Sequence, residues 1–557
     1  MKRVFMLAFF AAISISMLAS CSNFSSNIKI DNDLNNPDQK MKPITLRFYS
    51  ADPKENTDNF DSPVAKKITE KTGVTLDVEY LVGDNSEKIS IMVASGDYPD
   101  LIYAKGETSR LVQAGALIDL TDRIDQCGTN IKKLYGKYMK RLSYSLEDKS
   151  IYFLGSFGVN DQDIIPSSGF QIQHAVVKEA GYPRLRTLKD YENVIKAYKE
   201  KYPTIDGQPT IGMSMCADGW RTMITVTNPA AFATGQNGDD GEWFIDQQTH
   251  KAVLHITRPE EKEYFRWLNH MYDIGLLDPE SFVQKYEQYA AKIASGRVLG
   301  LSDAIWEYHQ SELMLKEDGK FNRMYGIYPL TLNEHYINNV FLTAGYDGGW
   351  GIGITRSCKD PQRAFEFLDW MASDEAQILN NWGIEGINYL IINGKRIIPD
   401  EEWKKRNAET DYNKRTGIGF YSYPFPEYGK LAKDSTGQYY KPESAEKVIG
   451  QYSNAEKEVL DAYGAELWRD LFKHNYQPKI YGNGWEINIP TDSYASLLFQ
   501  KIQEINRRRI PQAVLSKPNE FDSIWDDFQK ELADAGVHKL EDEYNRLLAN
   551  RIQLWNN

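Results

Sequence analysis

The sequence predicts an α/β fold from three observations. Strand-like and helix-like segments alternate between Ile44 and Tyr103, and the same alternation returns, with longer helices, beyond Thr187. A chain of 557 residues with 41% hydrophobic content is long and apolar enough for two or more conventional cores. Strands joined through helices at this spacing make right-handed crossovers and a mostly parallel sheet.

The elements follow in order. Ile44-Thr45-Leu46-Arg47-Phe48-Tyr49 alternates as a strand, and Ser62-Pro63 offers an N-cap and first-turn pair to a helix that Gly73 closes. Val74, Leu76, Val78 and Tyr80 alternate as a second strand. A helix from about Asn85 turns Ile89, Met92 and Val93 inward and stops at Gly96, and Leu101-Ile102-Tyr103 is the third strand. Parallel sheets bind ligands beyond the carboxyl ends of their strands, which points to the loops starting at Tyr49, near Leu81 and after Tyr103. Further on, Thr187 opens a helix through about Tyr202, and Gly241 to Ile256 reads as a hairpin around Gln247 to Lys251. Glu260 to Leu277 is helical, with Phe265, Leu268, Met271 and Tyr272 on one face. Tyr325 to Leu330 reads as a strand running from one compact body into another. Asp360-Pro361 caps a helix carrying Ala364, Phe365, Leu368 and Met371, and Phe521, Ile524, Trp525, Phe528 and Leu532 form a last apolar stripe before Gly536.

The first 21 residues have a different character. Lys2 and Arg3 precede an apolar run from Val4 to Ala19 broken only by Ser14 and Ser16, and Leu18-Ala19-Ser20-Cys21 follows. So short a run with small residues at its end reads as an export signal. The Leu-Ala-Ser-Cys ending resembles the lipobox of bacterial lipoproteins, which implies that Cys21 becomes the acylated first residue of the mature chain. The alternative is an ordinary secretory signal with Cys21 incidental. Residues 22–43 are rich in Ser, Asn and Asp and read as a flexible stalk, so the expected location is the outer face of a bacterial cell membrane.

Composition narrows the function classes. No second long apolar run follows the signal, which argues against a channel or permease. A net charge of −13 disfavours nucleic acid or an anionic lipid surface as the main partner. Apart from Cys21, only Cys127, Cys216 and Cys358 remain, neither a disulfide framework nor a zinc site, and they read as buried thiols. No G-x-S-x-G, H-E-x-x-H or P-loop is present, and Gly351-Ile352-Gly353 lacks the last glycine of a dinucleotide fingerprint and follows no clear strand-to-helix turn. The eight histidines, His474 among them, show no ligand spacing. No cofactor or metal is expected.

Several segments together resemble a known family. They are Ser95-Gly96-Asp97-Tyr98-Pro99-Asp100-Leu101, then Leu111 to Thr121, Gly181-Tyr182-Pro183 before Thr187-Leu188, Gly275 to Glu280, Gly383 to Tyr389 before Asn393-Gly394-Lys395, and the closing helix from Phe521. In this order, behind a lipobox and a polar stalk, they resemble the extracellular solute-binding proteins of carbohydrate ABC importers, in particular the large lipoprotein branch with alginate-oligosaccharide and complex-polysaccharide binders. The resemblance spans nearly the whole mature chain. It implies a two-lobed, type II periplasmic-binding-protein-like fold with hinge-connected lobes and a C-terminal helical extension. By analogy the first lobe takes residues 44–155 with 326–372, and the second takes 156–325 with 373–557. It also implies a non-enzymatic carrier that delivers an oligosaccharide to membrane permease subunits driven by a cytoplasmic ATPase, and a monomer suits such a tethered carrier. Some relatives carry an EF-hand-like calcium loop, but Asn237 to Gly241 and Asn160 to Asp163 both miss the D-x-D-x-D-G pattern and read as turns.

A sugar ring has apolar C–H faces and an equator of hydroxyls, so its site needs aromatic platforms beside planar polar groups. Among 12 Trp and 34 Tyr, four Trp lie beside polar partners outside the periodic apolar faces. They are Trp306, where the family has a stacking aromatic, then Trp220, Trp350 and Trp382. Asp52, Glu385 and Arg221 are candidate hydroxyl binders, and Lys105 and Arg110 could meet a uronate carboxylate if the glycan is acidic. Each has a structural alternative as a rim or solvated residue. Glycoside hydrolysis needs only two well-placed carboxylates, which 78 acidic residues leave open, and a peptide ligand would suit the same architecture.

Overall fold

Ser62 and Gly73 bracket the first helix as their chemistry requires. In the computed structural model the Ser62 hydroxyl accepts from the Ala65 amide, Pro63 opens the helix Pro63–Thr72, and Gly73 closes it at φ 68°. Described are residues 42–53, 59–162, 166–236, 239–339, 344–409, 411–442, 444–473, 479–491 and 493–556. The segments expected to be export signal, with Cys21, and stalk, through Met41, lie outside them, as do Asp163, Asn237, Gly238 and His474.

From Ile44 onward the chain packs as one compact unit whose two largest sheets have five and four strands. In the first, strand Ile44–Ser50 pairs in parallel with Val74–Tyr80 on one side and Leu101–Tyr103 on the other. Gly351–Ile354 then adds antiparallel to Leu101–Tyr103, and Leu154–Gly155 completes the sheet. The Gly351-Ile352-Gly353 stretch is therefore itself a strand. Its glycines lie where an added Cβ would come within 3 Å of the Leu154 and Tyr152 carbonyl oxygens, so close backbone approach explains them. Both faces of this sheet are covered, and the strands alternate between them. Leu46, Phe48, Leu101 and Tyr103 enter one apolar cluster, while Tyr49, Ala51, Ile102 and Ala104 enter another.

The second sheet has four strands in the order Tyr325–Tyr328, Ser168–Gln173, Val298–Ala304, Ile211–Ser214. Tyr325–Tyr328 is a fully buried edge strand, with Tyr325 opposite Gln173 and Tyr328 opposite Phe170, and it leads to Leu330, after which the chain leaves this core. The helix Leu188–Lys201 begins with a reciprocal Thr187–Asp190 capping box, and the hairpin pairs Trp243–Ile245 with Ala252–Leu254. The helix expected to reach Leu277 spans Pro259–Asp273, because Gly275 at φ 69° turns the chain.

Core membership divides the chain differently from the expected lobe boundaries. One large cluster gathers buried side chains from Leu46 to Val159 and from Tyr346 to Tyr440, and the other gathers them from Phe170 to Leu330 and from Val448 to Leu548. Leu379, Ile418, Phe420 and Phe425 thus pack in the first core, while Trp382, Tyr389 and Ile398 between them form a small cluster of their own. The chain passes between the cores three times, after Val159, Leu330 and Tyr440. Helices Tyr494–Val514, Phe521–Ala535 and Val537–Asn556 form the C-terminal extension on the second core, and the guanidinium of Arg141, from the first, stacks over Trp555 at 4.7 Å. Cys216 and Cys358 are buried, as expected, whereas Cys127 is half-buried.

Candidate functional site

Two clusters gather most of the candidate residues. The first lies on the second core, where the strand Val298–Ala304 hands over to the helix Ile305–Glu317. Trp306 stands in the first turn of that helix and Trp220 in the turn around Gly219, and their indoles stack with centroids 5.7 Å apart and planes 21° apart. They are 57% and 51% exposed, so two large apolar surfaces face solvent side by side.

The groups beneath hold this platform in place. Arg221 donates from Nε to Glu307 Oε2 at 2.7 Å, and its guanidinium lies 4.5 Å from the Trp220 ring and 4.0 Å from the Tyr286 ring. Tyr286 donates its hydroxyl to the Glu307 carbonyl at 2.7 Å, and Lys285 pairs with Asp218 at 2.8 Å. Deeper down, Asp303 accepts from the Tyr289 hydroxyl at 2.6 Å and from the Ala304 amide at 2.7 Å. Burial pushes the Asp303 carboxyl up to about 8 despite the Tyr289 hydrogen bond. Burial also raises Glu307, with Arg221 opposing the shift.

The second cluster lies at the carboxyl ends of Ile44–Ser50 and Leu101–Tyr103, where a parallel sheet opens to ligands. Asp52 and Lys105 form an ion pair there, and the Lys105 ammonium sits 5.7 Å from the Trp350 ring. Trp350 meets Trp485 at 4.7 Å, Phe157 packs on Trp485 at 5.9 Å and on Tyr423 at 6.3 Å, and the Tyr423 and Tyr103 hydroxyls share a hydrogen bond. Trp485 comes from the chain of the second core and also packs against Gly241, so this aromatic group bridges the two cores.

The remaining candidates lie elsewhere. Trp382 is buried with Tyr389 and Ile398 in a small cluster of its own and donates Nε1 to the Tyr439 carbonyl at 3.2 Å. Glu385 is exposed in the loop leading to the Leu390–Ile392 and Lys395–Ile397 hairpin. Arg110 is committed to the helix Asn85–Ser95, donating to the Ser86 carbonyl at 3.1 Å, and pairs with Glu107 at 3.2 Å. Asp240 accepts from Lys479 at 2.9 Å and from the Gly484 amide at 2.7 Å, so an internal ammonium organises that turn. Among the described residues no group of three His, Cys, Asp or Glu side chains is placed to hold a metal ion.

Sequence reasoning missed Trp485, Tyr286, Phe157 and Tyr423. Asn483-Gly484-Trp485-Glu486 carries the same Trp beside Gly as the loops of Trp220, Trp350 and Trp382, with an acid next to it, so it is legible in the sequence by the same signal. Tyr286 opens an ordinary amphipathic helix, and Phe157 and Tyr423 have no distinguishing neighbours, so only folding brings them to the site.

The model of a bacterial extracellular solute-binding protein family matches residues 64–409. The chain belongs to this family. It is 25% identical over 476 residues to lipoprotein LipO of Bacillus subtilis, covering 82% of this chain and 88% of that one. It is 24% identical over 298 residues to the fructooligosaccharide ABC transporter substrate-binding protein FusA of Streptococcus pneumoniae, covering 50% and 53% of the two chains. Among solved structures, calcium-free alginate-binding protein AlgQ2 superposes with a TM-score of 0.63 at 18% identity, covering 93% of this chain and 98% of that one. An HMO-binding, ABC-transporter-associated solute-binding protein from Bifidobacterium longum infantis gives 0.64 at 13% identity, covering 91% and 98%. These likenesses establish a two-lobed α/β solute-binding fold.

Proposed function

We propose that this protein is a lipid-anchored extracellular carrier that captures an oligosaccharide between its lobes and delivers it to the permease subunits of an ABC importer, doing no chemistry on it. The observation that carries the reading is the exposed Trp220–Trp306 pair, buttressed by Arg221 and Glu307. Stacked indoles offer a flat apolar face to sugar C–H groups, and the adjoining charged groups supply hydroxyl partners. Asp52, Lys105 and Trp350 would contribute from the other lobe. Contacts drawn from both lobes exist together only in the closed form, so ligand favours closure by that differential affinity. An importer could then distinguish loaded from empty carrier by shape. Relatives named for fructooligosaccharide transport and alginate binding support the ligand class. Acylation of Cys21 would hold the monomeric carrier at the outer membrane face, in keeping with the lipoprotein relative.

The test combines thermal shift with product analysis over a panel of oligosaccharides and peptides. A ligand at a hundredfold above its dissociation constant stabilises the fold by about 2.7 kcal/mol. Stabilisation with intact glycan is expected. New reducing ends would replace the carrier with an enzyme, and stabilisation by peptides alone would overturn the ligand class.

A further inference from the structure

The first lobe contains a cavity of about 360 Å³ beside the Asp52–Lys105 pair, on the face of the sheet opposite the cluster of Tyr49, Ile89 and Ile102. Its size lies at the small end of the roughly 300–1,000 Å³ typical of small-molecule pockets. Phe48, Tyr80, Phe420, Tyr421, Tyr423 and Phe425 line it, and Phe48 and Phe425 pack at 5.5 Å. Tyr423 is shared with the bridging aromatic group, since its other neighbours are Phe157 and Tyr103.

The polar content is narrow. Asp52 is the one charged residue lining the cavity among the described residues. One of its oxygens takes the Lys105 ammonium, while Oδ2 is buried with no hydrogen-bond partner among the described residues. The Asp52 side chain as a whole is 32% exposed, so the carboxylate that lines the cavity can accept from an incoming hydroxyl through its accessible surface. Aromatic walls suit the C–H faces of a ring. A second carboxylate would meet Asp52 as a like charge in a poorly solvated place.

We propose that this cavity receives one end ring of a neutral oligosaccharide, with the Asp52 carboxylate accepting from a ring hydroxyl, and that it selects against uronate-containing chains. The inference rests on the carrier reading and specifies its ligand as uncharged at that end. Trp220 and Trp306 would stack on other rings of the same chain.

The test uses the full folded body on a glycan array of neutral and uronate-containing oligosaccharides, with titration of the bound ones. Wild-type protein is expected to bind neutral members. Asp52→Asn should weaken them at least tenfold and strengthen uronate chains, because the acceptor is weakened while Lys105 loses its counter-charge. Val78→Phe, which fills the cavity, should weaken neutral binding while thermal unfolding and circular dichroism verify the fold. Neutral binding unchanged in both variants, or a wild-type preference for uronates, overturns the cavity assignment and leaves the carrier reading standing. Failure of the wild-type protein to bind any saccharide sinks both together.

Discussion

Trp220 and Trp306 stack on one another at 5.7 Å although they come from separate segments, one a turn at Gly219 and the other the first turn of a helix. Their common support is the Arg221–Glu307 pair, in which the residue following each Trp meets the other.

Trp306→Ala is expected to lower oligosaccharide affinity about tenfold, the scale of about 1.4 kcal/mol for a lost aromatic contact, with little change in thermal midpoint. Calorimetric titration beside a melting curve reads both. Wild-type affinity in the variant would remove this ring from the site.

Trp382→Ala has the opposite signature. The ring is buried against Tyr389 and Ile398, and its truncation should cost about 3–5 kcal/mol of stability. Affinity of the remaining folded protein should stay at the wild-type value. Denaturant unfolding measures the first quantity and titration the second.

His255 provides a pH prediction. Burial alone would push its imidazolium down, but Glu261 at 2.5 Å and Glu242 at 3.4 Å outweigh burial and hold it up at about 10. A folded value above the unfolded one of about 6.5 means stability fully present below pH 6.5 and lost as pH rises through 10. Thermal midpoints should fall between pH 7 and 10, and His255→Gln should flatten that part of the profile while lowering the midpoint at pH 7.

Asp303 is expected to act in the same direction at lower pH. Burial raises its folded value to about 8 from an unfolded value of about 3.9, so its contribution drains away as pH rises from 4 to 8. Asp303→Asn keeps an acceptor for the Ala304 amide and removes the buried charge. The variant should match or exceed wild-type stability at pH 9, and a large loss there would contradict this reading.

Cys21→Ala is expected to release the protein from the membrane fraction while leaving glycan binding intact. Fractionation followed by immunodetection checks it. Unchanged retention would point to the ordinary secretory signal.

Much of the architecture was legible along the chain because its signals are local. Ser62 and Gly73 mark helix ends through their own backbone chemistry, and the alternation that opens the strand at Ile44 reflects one covered face, with Leu46 and Phe48 buried and Thr45 and Arg47 exposed. The end at Asp273 was harder, since the apolar Leu276 and Leu277 continue the pattern past the glycine that breaks the helix.

The candidate site was half legible. Trp306, Trp220, Arg221, Asp52, Lys105 and Trp350 fall into two clusters; the Trp residues stand out by their place beside polar residues outside the periodic faces, Trp306 also by the family resemblance. Trp382 has the same local signature, yet it is packed as core, because neighbouring glycines and acids do not encode which side of a turn is later covered.

By itself the sequence determined the α/β alternation, the helix caps and the aromatic supply, all set by interactions among residues a few positions apart. The tertiary structure alone decided that Tyr325–Tyr328 completes the second sheet, that Leu379, Ile418, Phe420 and Phe425 join the first core, and that Trp485 reaches Trp350. Those outcomes depend on which distant surfaces bury each other, and a linear pattern of apolar residues says only that a face will be covered, never by what.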